Sequence, residues 1–236
     1  MAGLVLVLAG AVAGGLIQGA IGFGLNLVMV PLLALVAPEA LPVAAVVLGL
    51  PLTLAVLHRE RGTVDRPGLV WLIGGSLPGT LVGVLLVGVM STRTLQLAAG
   101  TLVLAFVAAS ARAPVIRLTS RTQLAAGAVS GMAATSVGIG GPPIALLYQH
   151  HRGSVVRPPL TASFLVGTFL SLTSLWLAGE TRWSQLSVGL LLGPVALVGG
   201  VLGRSAHDVL DRGWLRVAVL VFSGLSAIVV LASALA

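Results

Sequence analysis

Ten apolar runs take up most of this 236-residue chain, and no stretch between them is long enough for a soluble domain. They lie near 2–20, 25–37, 41–57, 68–90, 94–111, 122–135, 141–149, 158–178, 184–203 and 213–235. Charged residues make up 8% of the chain, where a water-soluble surface needs roughly a quarter. The runs are continuous rather than alternating, so they read as helices and not as strands of a membrane barrel. The expected fold is therefore an all-α integral membrane protein, and its first partner is the lipid bilayer. The third, fourth, fifth, eighth, ninth and tenth runs have 17–23 residues, which suits a crossing of a ~30 Å hydrocarbon core. The second, sixth and seventh are too short to cross upright.

The few charges are informative. The net charge of +7 comes from 13 Arg set singly in short loops, which argues for membrane orientation and against nucleic-acid binding. With alternating sides, the loops after runs 2, 4, 6 and 8 hold only Arg93 and Arg182, and the other 11 Arg fall after runs 3, 5, 7 and 9. That split places the second set in the cytoplasm and both termini outside the inner (plasma) membrane. No Lys or Arg precedes Arg59, so the N-terminal run is expected to stay rather than be cleaved as a signal.

The two halves repeat. Ala13, Gly15, Gly19, Pro31 and Leu35 recur as Ala125, Gly127, Gly131, Pro143 and Leu147 at an offset of 112, and Leu77-Pro78 with Gly83 resembles Gly193-Pro194 with Gly199 at an offset of 116. Each half has five runs, an odd number, so the second half enters from the opposite side. This predicts two inverted repeats, 1–111 and 122–236, joined by a cytoplasmic linker at 112–121. Each repeat would open with a short broken or re-entrant helix pair followed by three spanning helices.

Glycine and proline cluster where each short pair divides. The first cluster is Gly14-Gly15-Leu16-Ile17-Gln18-Gly19-Ala20-Ile21-Gly22-Phe23-Gly24-Leu25-Asn26, followed by Pro31. The second runs from Gly131 through Gly138-Ile139-Gly140-Gly141-Pro142-Pro143. Gly15 and Gly19 suit close helix packing. Gly22, Gly24, Gly138 and Gly140 suit a break in the helix, with Pro31, Gly141, Pro142 and Pro143 as helix-breaking residues. A broken backbone at membrane depth is tolerated only inside protein or beside a watery cavity, and its half-helix N-termini favour an anion. The substrate-binding candidates are thus Gln18, Gly22, Gly24, Asn26, Ser130, Thr135, Ser136, Gly138 and Gly140. In this alignment Ala134 and Ser136 stand where Gly22 and Gly24 do. The hydroxyls of the eighth run, Thr161, Ser163, Thr168, Ser171, Thr173 and Ser174, read mainly as bonds within their own helix.

These glycine patterns resemble the two signatures of the sulfite exporter TauE/SafE family of membrane permeases: GAIGFG leading to Pro31-Leu32-Leu33, and Gly138-Ile139-Gly140-Gly141-Pro142-Pro143. The resemblance runs over nearly the whole chain. It implies a transporter of a small sulfur-containing or organic anion such as sulfite or a sulfonate. A non-transporting scaffold or assembly subunit is the alternative, and a homo-oligomer is left open. With no cysteine, no metal-ligand cluster, no Walker loop and no triad, neither a cofactor nor a metal nor an enzyme activity is expected. Glu39, Glu60, Asp65, Glu180, Asp208 and Asp211 all fall in loops, and His58, His150, His151 and His207 at or beyond cytoplasmic ends. No proton relay is therefore expected at depth, and movement should follow the anion's own gradient and the membrane potential. Reporter fusions near Thr119 and at Ala236 test the orientation. Activity of a cytoplasmic reporter at Thr119 and an exported one at Ala236 is expected, and the reverse pattern overturns it.

Overall fold

A computed structural model describes residues 2–59, 66–112, 115–148, 153–205 and 212–235. Glu60, Arg61, Asp65, His150, His151, Arg152, His207, Asp208 and Asp211 lie outside the described residues. So do the side chains of Arg59, Arg66, Arg157, Arg204, Arg212, Trp214 and Arg216.

Every described element is helical: α1 (Ala2–Ile21), α2 (Leu25–Val36), a 3₁₀ turn (Pro38–Ala40), α3 (Val43–Leu48), α4 (Leu50–Arg59), α5 (Arg66–Val89), α6 (Thr92–Arg112), α7 (Ser120–Val137), α8 (Gly141–Tyr148), α9 (Gly153–Leu177), α10 (Trp183–Ser205) and α11 (Arg212–Leu235). Four of them carry stretches long and apolar enough to cross a membrane: Ala2–Ala20, Pro67–Val89, Thr92–Arg112 and Trp183–Gly203. Their outer faces display large apolar side chains such as Leu81, Leu85 and Leu191, as expected of a surface solvated by lipid.

The centre of the molecule is α2. Apart from Asn26 its run is apolar all round, and nine of its 12 residues are buried, so it is a core helix rather than a lipid-facing one. At ~1.5 Å per residue it is too short to cross. It turns back along α1: Gly10 lies against Leu32 and Gly14 against Leu25. Pro31 does not break it, contrary to expectation. The helix runs through Pro31 to Val36, because a proline costs one hydrogen bond and this helix is held on all sides by packing. The third apolar run is not one helix either. It splits at Gly49 into α3 and α4, since Pro51 has no N–H to continue the ladder and biases the residue before it away from helix.

Two helix pairs bring backbones into contact. Along α1 and α10, a methyl at Gly15 or Gly19 would strike the carbonyl of Ala196 or Gly200, and one at Gly199 or Gly203 would strike Val12 or Leu16. Along α7 and α5, Gly127 and Gly131 stand against the carbonyls of Leu72 and Ser76, and Gly75 and Gly79 against Leu124 and Ala128. The second set maps onto the first when 112 separates α1 from α7 and 124 separates α5 from α10. The same 124 relates α6 to α11, where Gly100 meets Leu231 and Gly224 meets Val107. The offset of 116 read for Pro78 and Pro194 is therefore out of packing register by two turns, and both prolines lie inside their helices.

Gly75 and Gly74 make a matched test. The first abuts a backbone carbonyl and the second has open space beside it. Gly75→Leu should lower stability by at least ~1–3 kcal/mol, the usual cost of overpacking. Gly74→Leu should leave the melting temperature in detergent unchanged.

Candidate functional site

The two opening pairs turn alike between their helices, and their first members are not short, contrary to expectation: α1 has 20 residues and α7 has 18. Gly22 and Gly24 take φ of 92° and 115°, and Gly138 takes 84°, left-handed values that favour glycine. The Gly22 N–H donates to the Gln18 carbonyl at 2.8 Å and the Gly138 N–H to that of Ala134 at 2.9 Å. Break matches break at an offset of 116, while the packing glycines upstream match at 112. α7 therefore holds one extra helical turn between Gly131 and its break. Gly138 and Gly140, not Ala134 and Ser136, stand where Gly22 and Gly24 do. Pro31 and Pro143 are not equivalent: Pro143 is in the first turn of α8, where a missing N–H costs nothing, and Pro31 is in mid-helix.

Asn26 ties the breaks together. Its Nδ2 donates to the Gly138 carbonyl at 2.7 Å and to that of Ala45, on α3, at 3.0 Å. Both partners only accept, so the amide nitrogen must face them, which leaves Oδ1 buried without a partner.

Around this junction lies a cavity of about 80 Å³, room for a small anion with a few waters. Gln18 of α1, Phe23 and Gly24 of the first break, Asn26 of α2 and Gly138, Ile139 and Gly140 of the second break border it. Ser130 of α7, Gly141 and Pro142 of α8, Ser163 and Thr168 of α9 and Ser76 of α5 complete most of the wall. Ser76 sits near the middle of α5. Phe23 and Phe164 both lie beside Gly141.

Six of the nine proposed binding residues therefore share one cavity: Gln18, Gly24, Asn26, Ser130, Gly138 and Gly140. Gly22 shapes the turn but does not line the wall. Thr135 and Ser136 also lie off it. They belong to the extra turn of α7, where the Thr135 hydroxyl pairs with Ser171 at 2.7 Å in full burial and that of Ser136 donates to the Met132 carbonyl. Gly141, Pro142 and Pro143 open α8 rather than end a helix. The residues not foreseen include Val46, Gly49 and Thr53 at the α3–α4 junction and Ser76. Gly49-Leu50-Pro51 inside an apolar run is a signal that could have found the first three.

Backbone donors at the breaks are few, and Gln18 adds a side-chain amide to the border. Leu25 and Asn26, in the first turn of α2, have N–H groups with no helical acceptor. The N–H groups of Gly138 and Ile139 close the end of α7, and Pro142 and Pro143 have none. Gly140 and Gly141 remain. The bordering side chains are all uncharged, and no cluster that could hold a metal occurs among the described residues.

A family model, "Sulfite exporter TauE/SafE", matches residues 6–230. The chain belongs to the TauE/SafE family. It is accordingly a multi-pass membrane transporter and not an enzyme. No curated protein and no solved structure matches.

Asn26→Ala would leave two buried carbonyls unpaired, at about 1–3 kcal/mol each. The expected result is a protein that still inserts but melts several degrees lower in detergent. An unchanged melting temperature would show that the bridge contributes nothing.

Proposed function

We propose that this TauE/SafE protein moves a small sulfur oxyanion such as sulfite or a sulfonate across the inner membrane, binding it in the cavity between the two breaks. The observation that carries the reading is the meeting of the breaks: the Asn26 side chain of one bonds the backbone of the other beside a polar cavity. Ser76, near the middle of α5, supports a depth close to the bilayer midplane. The first turn of α2 offers unpaired N–H groups and a positive dipole end to the negative oxygens.

The contacts also support two inverted repeats. α6 and α11 pack antiparallel, and α1 with α10 mirrors α7 with α5. Helices so related around a central site are the architecture of carriers that rock one half against the other. Both termini then lie outside and the Arg-rich loops inside. The inside-negative potential favours anion exit, so export or facilitated efflux needs no coupled proton, in keeping with bordering side chains that are all uncharged.

The test is [³⁵S]sulfite flux into liposomes containing the purified protein, with pH, Na⁺ and voltage set separately. Flux should follow the anion gradient and voltage. Gly24→Leu and Gly140→Leu should reduce it at least tenfold while each variant still elutes as a folded species. A methyl already meets Ile17 at Gly24 and Ala134 at Gly140. Normal flux through both variants contradicts the site. Accumulation driven by a Na⁺ gradient at zero voltage and equal pH contradicts uncoupled movement.

A further inference from the structure

We infer that the cavity selects an oxyanion carrying a hydrogen-bond donor of its own, a protonated oxyanion or an N–H- or O–H-bearing sulfonate, over one that only accepts. This rests on the reading of the cavity as the anion site. The evidence is where the hydrogens of its polar wall point. The Thr53 hydroxyl donates to the Gly49 carbonyl at 2.9 Å, that of Ser76 to Leu72 at 2.9 Å, and that of Ser130 to Gly140 at 2.5 Å. Both hydrogens of the Asn26 amide go to backbone carbonyls, and its Oδ1 is left without a partner. All four side chains border the cavity: the three hydroxyls have only oxygen lone pairs left to offer, and the Asn26 amide has no hydrogen left to donate.

An occupant without hydrogens would set oxygen against oxygen along this wall, with its negative charge supported by the few N–H groups of the breaks and by the Gln18 amide on the α1 side. An occupant with one donor can turn its anionic oxygens to the first turn of α2 and its N–H or O–H to the lone-pair side. The two ends of the site then have opposite polarity, which orients the molecule. A wall built this way discriminates strongly, because a bound analogue lacking the donor leaves buried acceptors unpaired.

Sulfamate and methanesulfonate isolate the effect. They are monoanions of nearly equal size that differ in an amino group against a methyl. In proteoliposomes at neutral pH, sulfamate should cross at least about tenfold faster than methanesulfonate. For sulfite itself, flux should fall as pH rises and the protonated form disappears. Thr53→Val, which breaks only the bond to the Gly49 carbonyl just before α4, should reduce the sulfamate preference, and Ser130→Ala should do the same. Equal flux of sulfamate and methanesulfonate overturns the inference while sulfite flux keeps the transport reading. An unchanged preference in both variants overturns its assignment to this wall. No protein-dependent flux of any of the three anions overturns the transport reading and the inference with it.

Discussion

A helix broken inside a bilayer leaves N–H and C=O groups that lipid cannot satisfy, and the rest of this structure is arranged around that constraint. The two breaks satisfy each other in part. Asn26 reaches from the first to the Gly138 carbonyl of the second, and Gly138 and Ile139 turn back to close α7. Gly24, Asn26, Gly138 and Gly140 of the two breaks border a shared cavity. The irregular backbone is thus buried in protein on most sides and open to a small polar space on one.

Holding two breaks at that distance requires the flanking helices to approach closely. The glycine contacts of α1 with α10 and of α7 with α5 provide this, since backbone meets backbone where any side chain would collide. Van der Waals contact of this kind replaces the hydrophobic effect as the adhesive between helices in lipid. The reciprocal registers, with the same separations recurring across three helix pairs, mean that one packing solution is used twice.

Much of this was legible in the chain. Run lengths located nearly every helix to within a few residues, because the bilayer dictates length. Glycines flanked by short runs marked both breaks, because only glycine adopts those left-handed turns cheaply. Register was harder. Identities at offset 112 paired Pro31 with Pro143, but a single extra turn in α7 moves its break by four residues and takes Thr135 and Ser136 away from the cavity. Composition cannot reveal such a turn, since an added helical turn preserves the apolar character of a run. The contributions of Thr53 and Ser76 were hidden for another reason: hydroxyls in a membrane helix look alike whether they bond their own backbone or line a site, and these do both.

The central claim is that the space between the breaks is where the anion rests. Anomalous diffraction from crystals soaked with selenite, a heavier analogue of sulfite, measures this directly. The account predicts a selenium peak beside the first turn of α2, within reach of Gly24, Asn26 and Gly140. A peak elsewhere in the protein at saturating selenite, with the cavity empty, would contradict it.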